Sequence, residues 1–113
     1  MGDIGQKRLF TEWYIFGINI DMRFEFDPAK SRANKDKHGI DFIGAQVLWF
    51  GAFFEFVLKN TTESRSAVIG QIDGAFWTAI ITYRGERIRI ISVRRSRNEE
   101  KKAYEARAKI NHR

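Results

Sequence analysis

Two dipeptides, Asp73-Gly74 and Arg84-Gly85, each separate runs rich in β-branched and aromatic residues. A two-residue connection containing glycine joins neighbouring strands antiparallel, because the twist of the tight turn matches that of the strands. Three strands, about 65–72, 76–83 and 87–95, are therefore predicted to form a meander, with a fourth at about 53–58 before them. Met22 to Phe26 alternates apolar and charged residues, the pattern of a fifth, half-buried strand. Simple alternation along the last strand puts Arg87, Arg89, Ile91, Val93 and Arg95 on one face and Ile88, Ile90, Ser92 and Arg94 on the other.

Helices are signalled between and after these strands. Asp27 can accept from the free N–H groups of a first turn, and Pro28 stands where a missing N–H costs nothing. That helix runs to about Lys37 and stops at His38-Gly39, where glycine supplies a left-handed cap. Asp41 caps a second helix, about 42–50, which is apolar nearly all round and so needs cover from the sheet or from a partner. Ser96-Arg97-Asn98-Glu99 matches a capping box that opens a basic helix to about Ile110, with Ala103, Tyr104 and Ala108 toward the sheet. The expected fold is α+β: an antiparallel sheet of about five strands, two N-terminal helices and one C-terminal basic helix. Residues 1–21 read as an N-terminal extension, and 22–113 as a single domain.

Charge narrows the function. Net charge is +6, and from Arg94 to Arg113 eight Lys/Arg stand against three acids. A basic end on a small domain attracts nucleic acid or an acidic protein, although a solvated helix face has the same composition. With no Cys, disulfides and thiolate chemistry are excluded, which suits a reducing cytoplasm. No apolar run reaches the roughly 18 residues of a membrane span, and no signal-peptide pattern opens the chain. No metal-ligand spacing, Gly-rich phosphate loop or nucleophile elbow is present, so a reaction without metal or cofactor is expected.

The stretch from Phe24 to Phe42, with Asp27-Pro28, Lys30, Asn34 and Lys37-His38-Gly39, resembles the opening signature of the BrnT family of toxins. A second signature follows in Ile88 to Arg95 with Glu100 and Tyr104-Glu105, and Glu63-Ser64-Arg65 with Gly70 resembles the family's E-x-R strand. The resemblance covers roughly 22–105. Ser96-Arg97 depart from it, and residues 1–21 have no counterpart in it. It implies a ribonuclease toxin with a RelE-like fold, neutralised by a cognate BrnA-like antitoxin whose DNA-binding domain reaches the shared operator. Operator DNA would then be met only through the antitoxin, and RNA would be the substrate, in the cytoplasm.

Metal-free RNA cleavage uses the 2′-OH as nucleophile and needs a proton acceptor, a proton donor for the leaving 5′-oxygen, and cations around the phosphate. Arginine suits the last task because its planar fork holds two phosphate oxygens. Arg65 and Arg94 are the candidates, against an exposed strand charge for the first and an ion pair with Glu100 for the second. His38 is a candidate acid or base, against a plain helix-terminal residue. Glu100 is a candidate base, and Tyr104 a residue that stacks on a base or packs in the core. Lys30, Arg84 and Arg95 are candidate RNA contacts, the first two readable also as solvated charges, and His112 is set aside as part of a tail. The second helix and the arginine cluster are together expected to be covered by antitoxin. The alternative to an enzyme is a basic module that binds RNA or serves as corepressor.

Overall fold

At Asp73-Gly74 both residues take left-handed backbone angles, φ 50° and 80°, as a tight hairpin turn of the favoured hand requires. The second turn is displaced by one residue from its predicted place. Arg84 pairs with Arg87, so Gly85-Glu86 form the connection and Gly85 carries the positive φ of 59°. These turns belong to a computed structural model that describes residues 9–15, 18–59 and 62–111, with side-chain surroundings for 23–59 and 62–108. His112 lies outside the described residues.

The strands are β1 (Leu9–Ile15), β2 (Ile18–Phe26), β3 (Phe53–Val57), β4 (Ser66–Ile72), β5 (Ala75–Arg84) and β6 (Arg87–Arg95). They form one six-stranded sheet in the order β1-β2-β6-β5-β4-β3. The expected meander β4-β5-β6 is there, but the sheet is mixed rather than antiparallel throughout. β2 runs parallel to β6, with Arg23, Phe24 and Glu25 opposite Arg87, Ile88 and Arg89. A parallel pair requires a long crossover, and the two N-terminal helices with β3 to β5 provide it. β1, and β2 as far back as Ile18, fall within the stretch read from sequence as an extension.

α1 (Pro28–His38) begins as predicted: the Asp27 carboxylate accepts from the Ala29 N–H at 2.9 Å, and Gly39 closes the other end at φ 87°. The second helix differs from expectation. It is a 3-10 helix, Gly44–Phe50, entered through a turn in which Asp41 Oδ1 accepts from the Gly44 N–H at 2.7 Å. Its side chains divide between the two sides. Ala45, Gln46, Leu48 and Trp49 are buried, while Ile43 and Val47 face outward, 52% and 44% exposed. α2 (Asn98–Asn111) follows β6.

The core lies on one face of the sheet. Phe24, Phe26, Val68, Ala79, Ile81, Ile90 and Val93 meet Ile40, Phe42, Leu48 and Trp49 there. Phe24 and Trp49 pack edge to face at 4.9 Å, and Phe26 and Phe42 at 5.8 Å, the arrangement that aromatic quadrupoles favour. Gly70 lets the 3-10 helix approach β4: a Cβ there would stand 3.1 Å from Leu48 Cδ2 and 3.3 Å from the Ala52 carbonyl oxygen.

Which residues of β6 join this core is decided by a bulge. Ser92 pairs with Ile80 but Ile90 pairs with Ile81, so Ile91 is an extra residue without a partner. An extra residue inverts the alternation beyond it. Ile88, Ile90, Val93 and Arg95 therefore share the core face, and Arg87, Arg89, Ser92 and Arg94 share the other. The unbroken alternation read from sequence had placed Val93 with the arginines and Arg94 with the isoleucines. The bulge corrects both.

Candidate functional site

On the face away from the core, the strand registers set side chains in rows. Ile69, Thr78 and Arg94 make one, and Ala67, Ile80 and Ser92 the next. In the third, Thr82 lies between Arg89 and the level of Arg65, and Glu25 continues it on β2. Arg65 stands just before β4; its carbonyl accepts from the Leu58 N–H at 2.9 Å, which extends the β3–β4 ladder by one residue. The Thr82 hydroxyl donates to the Ser64 carbonyl at 2.7 Å and ties that segment to the same face. Arg65 and Arg94 thus belong to one surface, separated by roughly four residues along a strand, or about 13 Å, and by two strands.

Arg65 Nε is buried without a hydrogen-bond partner, its nearest carboxylate oxygen being Glu63 Oε1 at 3.9 Å. A buried guanidinium donor left unpaired is costly and is relieved by an acceptor of suitable geometry. Arg89 Nη1 lies 3.4 Å from Oε2 of Glu25, a carboxylate that is almost wholly buried.

Arg94 and Glu100 form the tightest polar cluster on this face. Arg94 Nη1 and Nη2 donate to Oε1 and Oε2 at 2.8 Å each. The Arg97 N–H donates to Oε1 at 2.7 Å and the Thr78 hydroxyl at 3.0 Å. The capping contact is thus made by Glu100 to Arg97, one residue beyond the Ser96-to-Glu99 box read from sequence. Burial alone pushes the Glu100 carboxyl up, but the hydrogen bonds from Arg94, the Arg97 N–H and Thr78, with the charge of Arg94, outweigh it and hold the group at about 2. The same hydrogen bond raises Arg94 further, against the opposing effect of burial.

α1 borders this face along the outer edge of β6. Lys30, Lys37 and His38 line a cleft of about 230 Å³ with Ala33, Asn34, Ile91 and Ser92. His38 and Lys30 are therefore brought beside Ser92, two residues from Arg94. Of the remaining candidates, Arg95 and Arg84 lie apart, whereas Tyr104 stands one turn beyond Glu100 on α2. Arg95 projects on the core face, with its guanidinium 5.3 Å from the centre of the Trp77 ring. Arg84 is exposed at the far end of β5, opposite Arg87. Tyr104 packs edge to face on Phe76 at 5.2 Å, and its hydroxyl donates to the Ala52 carbonyl at 3.4 Å.

Sequence reasoning gave no site role to Asn34, Thr78, Arg89 or Glu25, although all but Thr78 lie within the two signature stretches. Asn34 had a signal, a polar residue on a helix with little apolar content. Thr78 had none, because a threonine on a strand reads as ordinary strand composition.

A comparison with curated proteins finds no match. A family model described as the ribonuclease toxin BrnT of type II toxin-antitoxin systems matches residues 26–100, which include α1, the whole meander and the Arg94–Glu100 pair. With about two-thirds of its length matched in this way, the chain belongs to the BrnT family of ribonuclease toxins.

Proposed function

We propose that this toxin cleaves RNA without a metal ion, by attack of a 2′-OH on the adjacent phosphate, on the arginine-bearing face of the sheet. The observation that carries the reading is that Arg65, with a buried donor lacking a hydrogen-bond partner, and Arg94 share that face. In the reaction the 2′-oxygen bonds to phosphorus and the bond to the 5′-oxygen breaks. The 2′-OH proton goes to an acceptor, and the 5′-oxygen gains a proton. The two arginines neutralise the phosphate as its charge grows. His38 exchanges protons from the α1 side, beside Lys30. Glu100, engaged by four hydrogen bonds, is a poor acceptor by comparison.

The partner is a cognate antitoxin, acting in the cytoplasm where the RNA is. Ile43, Val47, Phe50 and Phe53 are exposed near the 3-10 helix, an apolar surface suited to it. That surface lies on the side opposite the arginines, so an antitoxin that also shields the RNA face wraps around the β3 edge. Among the described residues no helix is long and apolar enough to cross a membrane.

The test is single-turnover cleavage of an RNA oligonucleotide in chelator, beside the same oligonucleotide with 2′-deoxyribose at the cleaved position. Cleavage of the first alone is expected, slowed on the order of 10²–10³ by Arg65→Ala or Arg94→Ala in folded protein. Cleavage of the 2′-deoxy substrate sinks the mechanism. Tight RNA binding without cleavage returns the chain to the class of non-enzymatic basic modules.

A further inference from the structure

An arginine that stabilises a phosphate has to present a defined pair of N–H groups, and a free guanidinium on a flexible stem does not. Arg94 is not free. Its end-on pair, Nη1 and Nη2, is taken by the two oxygens of Glu100 at 2.8 Å. Nη1 also approaches the Arg95 carbonyl at 3.3 Å. Glu100 is in turn immobilised: it accepts from the Arg97 N–H at the start of α2 and from the Thr78 hydroxyl. Thr78 is wholly buried. Its hydroxyl proton goes to Glu100, so the Ser96 hydroxyl, 2.7 Å away, donates to Thr78. The chain of contacts leaves one part of the guanidinium uncommitted. Nε–H and the outer N–H of Nη2, the side-on pair, make no hydrogen bond among the described residues, and the side chain remains 23% exposed. A side-on pair of parallel N–H groups matches two oxygens of one phosphate.

We propose that Thr78 and Glu100 are positioning residues, which hold Arg94 by its end-on pair so that its side-on pair is presented to an RNA phosphate. This rests on the ribonuclease reading for its consequence in rate. The clamp itself is independent of that reading, because it is built from contacts that exist without RNA. It assigns Glu100 an orienting task in place of proton transfer, and it gives the buried Thr78 a part in the reaction without touching substrate. It also joins the start of α2 to the RNA face through one carboxylate.

Thr78→Val, Thr78→Ser and Glu100→Gln test it together. Thr78→Val keeps shape and removes the hydroxyl. It is expected to slow single-turnover cleavage by about tenfold while RNA affinity changes by less than about threefold, the pattern of an interaction that matters in the transition state. Thr78→Ser restores the rate. Glu100→Gln slows cleavage and leaves the shape of the pH–rate profile unchanged. A second readout needs no activity. In low-temperature ¹H–¹⁵N spectra the Arg94 Nη protons should be resolved in the wild type and in Thr78→Ser, and merged in Thr78→Val. Titration with an uncleavable 2′-deoxy oligonucleotide should then move the wild-type Arg94 Nε–H signal.

Cleavage by Thr78→Val at the wild-type rate with resolved Nη protons overturns the clamp. Loss of the acid limb of the profile in Glu100→Gln makes Glu100 the proton acceptor and overturns it as well. A wild type that leaves RNA intact defeats the ribonuclease reading, and the Nη and Nε signals still decide the clamp.

Discussion

The carboxamide of Asn34 closes on the backbone of Val93 as a strand would: Nδ2 donates to the Val93 carbonyl at 2.9 Å and Oδ1 accepts from the Val93 N–H at 3.2 Å. Nδ2 also donates to the Ile40 carbonyl at 2.8 Å. β2 pairs with β6 only at Arg87 to Arg89, so beyond that point the edge of β6 needs another partner, and α1 supplies it. Asn34→Ala leaves three buried backbone groups unpaired. At ~1–3 kcal/mol for each unpaired group, partly relieved by relaxation, the loss is expected to be on the order of 3 kcal/mol. Asn34→Asp keeps the acceptor but turns both donor contacts into repulsion, and at neutral pH it should be no more stable than the alanine variant. Denaturant unfolding checks both, and a wild-type midpoint in Asn34→Ala means that α1 is not anchored through this residue.

Acid stability should carry the mark of Glu100. Its folded value of about 2 lies below the ordinary 4.5, so the folded state resists protonation of this group. The stabilisation it contributes is complete above about pH 4.5 and is lost as the pH falls toward 2. In Glu100→Gln the decline across that window should be shallower, and stability near neutral pH lower, because Arg94 is left half-buried without a carboxylate. Melting temperatures from pH 2 to 7 measure it; parallel curves for the two proteins contradict it.

Gly70 should tolerate nothing larger. The nearest obstacle to a Cβ, Leu48 Cδ2, can rotate, but the Ala52 carbonyl at 3.3 Å is backbone. Gly70→Ala is expected to cost roughly 1–3 kcal/mol as an overpacked site. At about 4–8 °C per kcal/mol for a domain near this size, the shift is easily seen by calorimetry. Gly70→Val should be worse, and an unchanged melting temperature in both removes the close approach of the 3-10 helix to β4 as a constraint.

Residues 1–21 remain a proposed extension. The family match starts at residue 26. A chain starting at Met22 keeps the three β2 residues that pair with β6 and loses β1. It is expected to melt within a few degrees of the full chain. A drop of tens of degrees assigns β1 to the toxin domain itself.

Much of this fold is legible along the chain because its signals are local. Asp27-Pro28 and Gly39 set the ends of α1 by satisfying or omitting backbone donors in their own turn. Asp73-Gly74 closes β4 on β5 because both positions accept positive φ. The order of these signals also carries the family, since the match over residues 26–100 takes in both Asp27 to Gly39 and Ile88 to Glu100. What the chain alone decided, then, was the elements from Met22 onward, their neighbours in the meander, and the residue types available for phosphate chemistry. Tertiary structure decided the rest. No local rule demands the extra residue at Ile91, and yet that residue turns Arg94 from the side of Ile88 and Ile90 to the side of Arg89. The parallel pairing of β2 with β6, and the use of Asn34 where β2 ends, depend on residues 59 to 64 positions apart. The same holds for Thr78, which becomes part of the Arg94 clamp only because β5 lies between β4 and β6 and α2 returns over that face. Alternation, caps and turns act within a few residues, whereas a face and a clamp exist only once distant strands have been brought into register.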